Sequence, residues 1–199
     1  MMLIEDTPIL DSALPLEAFK VHLRMGSGFG TGDLQDPVLL SFLRAAVAAI
    51  EVRTGKALLS RAFRWTLHAW RDPSAQALPV APVGAVSQVV QVARNGVRTT
   101  VAAQAYWLEQ DSQRPRLRAT GAVLPSVPMD GAVEISFTAG LGADWDAVPA
   151  DLRQAVMMLA AHYYEYRNDT GLSDGCMPFG VSSLIERYRT MRMGMRAGL

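Results

Sequence analysis

The hydrophobic positions near the start of the chain recur at helical spacing. Leu16, Phe19 and Leu23 lie three and four residues apart, which places them on one face of a short helix. A second stripe runs from residue 39 to residue 50 with the same period. The residue types that bound this second helix are typical of helix ends: Asp36 as N-cap, Pro37 at the first helical position, and Gly55 after the last turn.

The period changes from helical to alternating between residues 58 and 140. Phe63, Trp65 and Leu67 alternate with polar residues, as in a strand with one buried face. The dipeptide Asn95-Gly96 between two β-branched runs predicts a hairpin with a type I′ turn. Further strands are predicted at residues 86–93, 98–101, 106–109, 115–118 and 131–138. We therefore expect a small antiparallel sheet between helical segments.

Helical periodicity returns after the glycines at 140 and 142. Pro149 suits the first helical position, and a regular apolar stripe from Leu152 to Tyr166 makes this the clearest helix in the chain. A loop at 168–180 then separates it from a last amphipathic segment, which runs from Ser182 to about residue 195.

Together these elements predict an α+β fold. We expect a mainly helical core of about four helices, with a small antiparallel β insertion in the middle of the chain. The predicted boundaries are residues 1–57 for the N-terminal helices of the core, 58–140 for the β-rich insertion, 141–180 for a core helix and its loop, and 181–199 for a C-terminal amphipathic basic segment.

Composition indicates a folded, soluble protein. Half of the 199 residues are hydrophobic and 19% are charged, so the chain can bury a core. No run approaches the roughly 20 apolar residues that a membrane-spanning helix needs. The formal net charge is zero, whereas a protein whose main role is to grip nucleic acid usually carries a large basic excess.

The two ends of the chain carry opposite charge. Residues 1–11 contain three acids and no base, whereas residues 187–196 contain four arginines and no acid. Subunits that meet head to side would bring such ends together. Two separately solvated ends would have the same composition, so both interpretations stay open.

Patterns that suggest catalysis or metal binding are weak. His162 and Glu165 share a helix face, but a metal site needs further ligands at suitable spacing, so a partly exposed polar pair is favoured. Cys176 stands alone without a basic neighbour, which excludes an internal disulfide and indicates an inert thiol. The glycines at 26–32 lack the strand and lysine of a phosphate-binding loop. We expect no enzymatic activity, no cofactor and no metal.

Four stretches carry more specific information through their order and spacing. They are Leu14–Glu17 with Val21–Arg24, then Arg53–Leu58, then Phe137–Gly142 followed by Val148-Pro149 and Leu152–Ala155, and finally Pro178–Val181. In this order they resemble the head–tail connector, or adaptor, proteins of long-tailed phages. The neutral charge and compact size resemble the versions found in gene transfer agents and prophage-like particles. The resemblance covers most of the chain.

The resemblance implies a structural neck protein. A dodecameric ring would dock under the portal protein, with a stopper or other neck protein below it, and DNA would pass transiently through the lumen. Such a protein is made in the host cytoplasm, ends in the particle neck and needs no membrane. The alternative hypothesis is a small nucleic-acid-binding or packaging accessory protein. Stacking of bases on Tyr163, Tyr164 and Tyr166 would favour it, but their helix face is already apolar, which favours packing instead.

The resemblance also implies that the C-terminal segment binds the portal. The expected contact residues are Leu184, Arg187, Tyr188, Arg189, Met191, Arg192 and Arg196. The arginines would meet an acidic portal surface or, alternatively, line the lumen and touch DNA weakly. We expect the segment from Ser182 onward to become ordered on docking, because Gly194 and Gly198 weaken an isolated helix.

Overall fold

The computed structural model describes residues 1–25, 32–167 and 177–189. Its helices in these ranges are α1 (Leu16–His22), α2 (Gly32–Thr54), α3 (Ala150–Glu165) and α4 (Phe179–Ile185). Its strands are β1 (Met2–Glu5), β2 (Arg61–Leu67), β3 (Ala75–Ala77), β4 (Val83–Val92), β5 (Arg98–Thr100), β6 (Tyr106–Glu109), β7 (Arg116–Ala119) and β8 (Ala132–Ala139). Single turns of 3-10 helix lie at Asp11–Ala13, Ala103–Ala105 and Glu186–Tyr188.

The four helices form one unit around a shared hydrophobic core. α2 and α4 both pack on α3, and α1 contacts α2 and α3. Phe19, Leu43 and Val156 are fully buried there. The faces predicted from helical spacing are therefore mainly the faces that the protein buries, but Tyr166 at the end of the predicted α3 stripe is exposed.

Helix α2 begins earlier than the sequence predicts. Asp36 and Pro37 were expected to open it, but the helix starts at Gly32 and Pro37 lies inside it. Within a helix, proline removes one backbone hydrogen bond and its ring crowds the carbonyl four residues earlier, and both effects fall in the first turns of α2. The predicted end is confirmed, because Gly55 follows Thr54 with a φ of 69°, the left-handed conformation that glycine adopts easily.

The strands form two antiparallel sheets. The larger sheet has the order β1-β2-β8-β4-β5, and the smaller has the order β3-β7-β6. Phe63, Trp65 and Leu67 point into a second hydrophobic core together with Ile135 and Phe137 of the neighbouring strand. The alternating pattern thus identified both the strand and its buried face correctly.

The prediction of a mainly helical core with a small β insertion is wrong. The described ranges contain four helices and eight strands in two sheets, and the sheets enclose a hydrophobic core of their own. The larger sheet also takes β1 from the N-terminal segment that was assigned to the helices. Because the pairing partner of β1 lies about 60 residues away in sequence, a local pattern carries no signal for it. β3 was also missed.

The hairpin at Asn95-Gly96 is confirmed, but its turn type differs. Ala93 accepts a hydrogen bond from Gly96 N–H at 2.8 Å and donates to Val97 O at 2.8 Å. Gly96 alone has a positive φ, 83°, whereas Asn95 does not. This combination is a type I turn closed by a glycine bulge, the usual form of a three-residue loop.

The helical unit and the sheets meet at a crossing of backbone segments, which we call the joint (residues 55–60, 81–82 and 139–142). Gly142 N–H donates to Leu58 O at 3.1 Å, and Ser60 N–H donates to Gly142 O at 2.7 Å. Ala57 is tied in the same way to Ala81, with an N–O distance of 3.0 Å. Strands β2, β4 and β8 all start or end beside the joint.

The joint leaves no room for side chains at two glycines. A Cβ on Gly140 would lie 2.3 Å from Ser60 Cα, and a Cβ on Gly142 would lie 2.8 Å from the carbonyl carbon of Ala147. Both contacts are to backbone or to the start of a side chain, which cannot move aside without shifting the joint. The Gly-Leu-Gly motif is therefore required by close packing.

A buried ion pair reinforces the joint. Arg61 of β2 donates two hydrogen bonds to Glu51 of α2, at 2.9 and 2.7 Å, and its side chain is only 8% exposed. The same carboxylate accepts a hydrogen bond from Leu58 N–H at 2.7 Å. Two parallel bonds fix the orientation of both partners, so helix α2 and strand β2 are held at a defined angle.

The joint generates a stability prediction. Gly140→Ala should lower the free energy of unfolding by about 3 kcal/mol or more, because the new methyl group overlaps the backbone of Ser60. Gly121→Ala is the matched control, since nothing lies within 4 Å of its Cβ position; its effect should stay within about 1 kcal/mol. Urea denaturation of both variants measures this, and equal midpoints would contradict the role given to Gly140.

Candidate assembly surfaces

The C-terminal segment packs on the helical unit. α4 follows Pro178, and its residues Val181 and Ile185 are fully buried against the core. Leu184 and Tyr188 are partly buried against the same core. The apolar side of this segment is thus covered by its own chain as far as Tyr188, which differs from the expectation that residues after 182 become ordered only on docking.

One carboxylate, Asp151 at the start of α3, holds the last described turn in place. Tyr188 donates its hydroxyl hydrogen to Asp151 Oδ1 at 2.7 Å, and Arg187 pairs with Asp151 Oδ2 at 2.8 Å. The Arg187 guanidinium also lies over the Tyr188 ring, 4.8 Å from its centre. Burial raises the pKa of the Tyr188 phenol further above neutral pH. We call Asp151, Arg187 and Tyr188 the C-terminal clasp.

The expected portal-binding residues therefore divide into two groups. Arg187 and Arg189 keep 70% and 51% of their side chains exposed, although they pair with Asp151 and Glu186. Leu184 and Tyr188 mainly contact their own chain. The remaining three, Met191, Arg192 and Arg196, lie outside the described residues.

Sequence reasoning missed one exposed aromatic residue beside this segment. Phe179, the first residue of α4, is 87% exposed. Large aromatic side chains are uncommon on free surfaces and common in protein interfaces. The only sequence signal was its place in the Pro178–Val181 stretch, where it was used as a family motif rather than as a contact residue.

The N-terminal acids do not form a free acidic end. Glu5 pairs with Arg61, Asp6 pairs with Arg64, and Asp11 pairs with Arg44. Each acid from residues 1–11 is thus matched by an arginine of the same chain. Neither of the two interpretations of the charged ends describes this arrangement, because the N-terminal charge is largely neutralised within the subunit.

The N-terminal strand carries an exposed apolar surface. Four consecutive residues, Met1 to Ile4, are 73%, 56%, 41% and 38% exposed. They form or flank β1, an edge strand of the larger sheet. Contiguous exposed apolar residues of this kind mark interaction surfaces more often than isolated ones do.

The described residues offer no cluster of three or more His, Cys, Asp or Glu side chains that could hold a metal ion. His162 is half-buried with its ring 4.7 Å from that of Tyr166, while Glu165 is exposed. Lys56 is a buried amine, and burial lowers its pKa, but its Nζ donates to the carbonyl of Ser112 in a structural contact. Among the helices in the described ranges, none has the length and apolar character needed to cross a membrane.

Three chains of known structure are similar to this chain over its whole length. The chain is 53% identical to a chain in the neck of an empty gene transfer agent (GTA) particle, computed with C6 symmetry, with a TM-score of 0.89. It is 51% identical to a chain in the neck of a native GTA particle, computed with C12 symmetry, with a TM-score of 0.84. A chain of the native GTA virion is 53% identical, with a TM-score of 0.86.

Each of these three matches covers 98% of this chain and 98% of the other chain, so the similarity extends over the whole fold. No family model matches the sequence, and no curated protein matches it. Identity above one half over the whole length shows common descent rather than a shared fold alone. The chain belongs to the family of head–tail neck, or adaptor, proteins of gene transfer agent particles.

Proposed function

We propose that this chain forms a ring that joins the portal to the stopper or tail in the neck of a phage-like particle and lets DNA pass through its lumen. The observation that carries the proposal is its 51–53% identity, over 98% of the chain, to chains in GTA necks computed with C12 and C6 symmetry. Such cyclic symmetries imply repeated copies around one axis, and copies around an axis form a closed ring.

The rigidity of the joint suits this function. A ring with a central channel keeps its shape only if each subunit holds a fixed angle between its parts. The glycine contacts at 140 and 142 and the paired Glu51 and Arg61 supply that angle. The mechanism is therefore geometric, and it requires no reacting group.

The C-terminal segment remains our candidate for the portal contact. Its geometry supports two roles, one for side chains that contact the partner and one for side chains that position them. Arg187 and Arg189 present exposed guanidinium groups to a partner. Leu184 and Tyr188 hold those arginines in position by packing on the helical unit. Phe179 adds an exposed apolar contact beside them. Met191, Arg192 and Arg196 extend the same basic sequence.

Charge balance favours transient rather than tight contact with DNA. The net charge is zero, and several exposed or half-buried arginines are paired with acids of the same chain, including Arg98 with Glu134 and Arg153 with Asp146. Paired arginines release few counterions on approaching phosphate, so their affinity for DNA is low. A channel through which a genome slides needs this low affinity.

The ring itself is directly testable. Sedimentation velocity and native mass spectrometry of the purified chain, alone and with purified portal protein, should reveal a species with the mass of a dodecamer. The single cysteine, Cys176, can form a disulfide only between two copies, so both measurements are made in reductant. A chain that stays monomeric or dimeric under both conditions contradicts the proposal and favours a packaging accessory protein.

The portal contact predicts an effect of charge reversal. Arg189→Glu should weaken binding to portal rings by about tenfold at low salt, and the difference should shrink as salt is added. Arg94→Glu is the control, because Arg94 is also an exposed, acid-paired arginine but lies in the β4–β5 hairpin of the larger sheet rather than on the helical unit. Equal weakening by both variants would indicate a general charge effect and would remove the support for this contact.

The C-terminal clasp predicts a modest loss of stability. Tyr188→Phe removes the hydrogen bond to Asp151 and should lower the free energy of unfolding by about 1 kcal/mol. Tyr166→Phe is the matched control, since that side chain is 48% exposed and its change should cost at most about 0.5 kcal/mol. Chemical denaturation, monitored by far-ultraviolet circular dichroism, gives the free energy of unfolding of each variant. A stable Tyr188→Phe variant would show that the clasp does not hold the segment.

A further inference from the structure

The outer edge of β1 is open. β1 pairs with β2 along its inner edge, with Met2 opposite Thr66 and Glu5 opposite Phe63. It is the last strand on its side of the larger sheet, and no other strand in the described ranges pairs with it. An open edge presents backbone donors and acceptors that can bind a further strand.

The alternation of hydrogen-bonded pairs between β1 and β2 shows which backbone groups of β1 face outward. Asp6 N–H donates to Ala62 O at 2.9 Å, so residues 6 and 62 form a hydrogen-bonded pair. In an antiparallel ladder such pairs alternate with pairs that do not exchange hydrogen bonds. Met2 and Ile4 therefore bond to β2, whereas Leu3 and Glu5 direct their N–H and C=O groups away from it.

This edge lacks the features that usually block strand addition. Natural edge strands are protected by proline, by lysine, by bulges or by a covering segment. β1 has the sequence Met-Leu-Ile-Glu and pairs with β2 in continuous register without a bulge. All four of its residues are exposed, which indicates that nothing in the described part of the chain covers it.

Ion pairs hold β1 in place and remove its charge. Glu5 pairs with Arg61, whose side chain is 8% exposed, and Asp6 pairs with Arg64. The strand is thus fixed on the sheet before any partner arrives, which lowers the entropic cost of binding. Because both acids are neutralised within the subunit, an identical chain can approach without like-charge repulsion.

We propose that the outer edge of β1 is a subunit–subunit contact, completed by an extended strand from a second copy of this chain in the ring. The inference rests on the proposed function, since the related necks have C12 and C6 symmetry and place copies side by side. A subunit of a cyclic ring buries two different flanks. β1 is the outermost strand on one edge of the larger sheet and runs antiparallel to β2.

Backbone amide exchange tests this edge one residue at a time. In the free subunit the amide of Ile4 should be protected by β2, whereas the amide of Leu3 should exchange at the rate of an exposed group. In the assembled ring the exchange rate of the Leu3 amide should fall by about tenfold, which corresponds to about 1.4 kcal/mol and lies within the range for one hydrogen bond. Hydrogen–deuterium exchange with fragmentation to single residues makes the measurement.

Two variants separate the backbone contribution from that of the side chain. Leu3→Ala keeps the outward N–H, whereas Leu3→Pro removes it and leaves the bonds of Met2 and Ile4 to β2 intact. Leu3→Pro should require about tenfold more protein than Leu3→Ala for half-maximal assembly in sedimentation velocity. Circular dichroism checks that both variants fold. If Leu3→Pro does not fold, amide exchange in the unmodified ring decides the question.

The outcomes distinguish this inference from the proposed function. A ring in which Leu3 stays unprotected, or in which the two variants assemble equally, overturns the β1 contact and leaves the ring intact. Protection of Leu3 that appears only in complete particles assigns the edge to a different neck protein and overturns the second-copy contact. If no ring forms with or without portal protein, the proposed function fails and the β1 contact fails with it.

Discussion

The close crossing of backbone at the joint is the constraint on which the rest of the structure depends. Residues 55–60 and 139–142 exchange hydrogen bonds where the helical unit becomes the sheet unit. Because Gly140 has no space for a Cβ, the two segments approach more closely than side chains would allow. The buried pair of Glu51 and Arg61 spans the same crossing. The crossing thereby joins the helical core and the sheet core into one subunit.

This constraint places two candidate assembly surfaces on different parts of one rigid subunit. The C-terminal clasp lies on the helical unit, where Asp151 at the start of α3 holds Tyr188 and Arg187. The open edge of β1 lies on the sheet. A protein of the neck of a phage-like particle has to contact both like and unlike neighbours, and separate surfaces on a fixed frame allow the two kinds of contact to form independently.

Charge is balanced locally, within the subunit. The net charge is zero, and the arginines at positions 44, 61 and 64 form ion pairs with the three N-terminal acids of the same chain. The pairs of Arg44 and Arg64 are largely exposed and contribute little to stability, but together with Arg61 they fix the N-terminal segment and neutralise it. What remains on that surface is apolar and open at its backbone edge, the combination that favours another strand.

The sequence by itself determined the buried faces and most elements, because periodicity reports which side of a helix or strand avoids water: Phe19, Trp65 and Val156 are all buried. It also indicated the family through ordered motifs, which the 51–53% identities confirm. Only the tertiary structure decided the balance of helix and sheet, since β1 pairs with a strand about 60 residues away. It likewise decided that the N-terminal acids are paired and that Leu184 and Tyr188 pack on their own chain, because partners distant in sequence leave no local pattern.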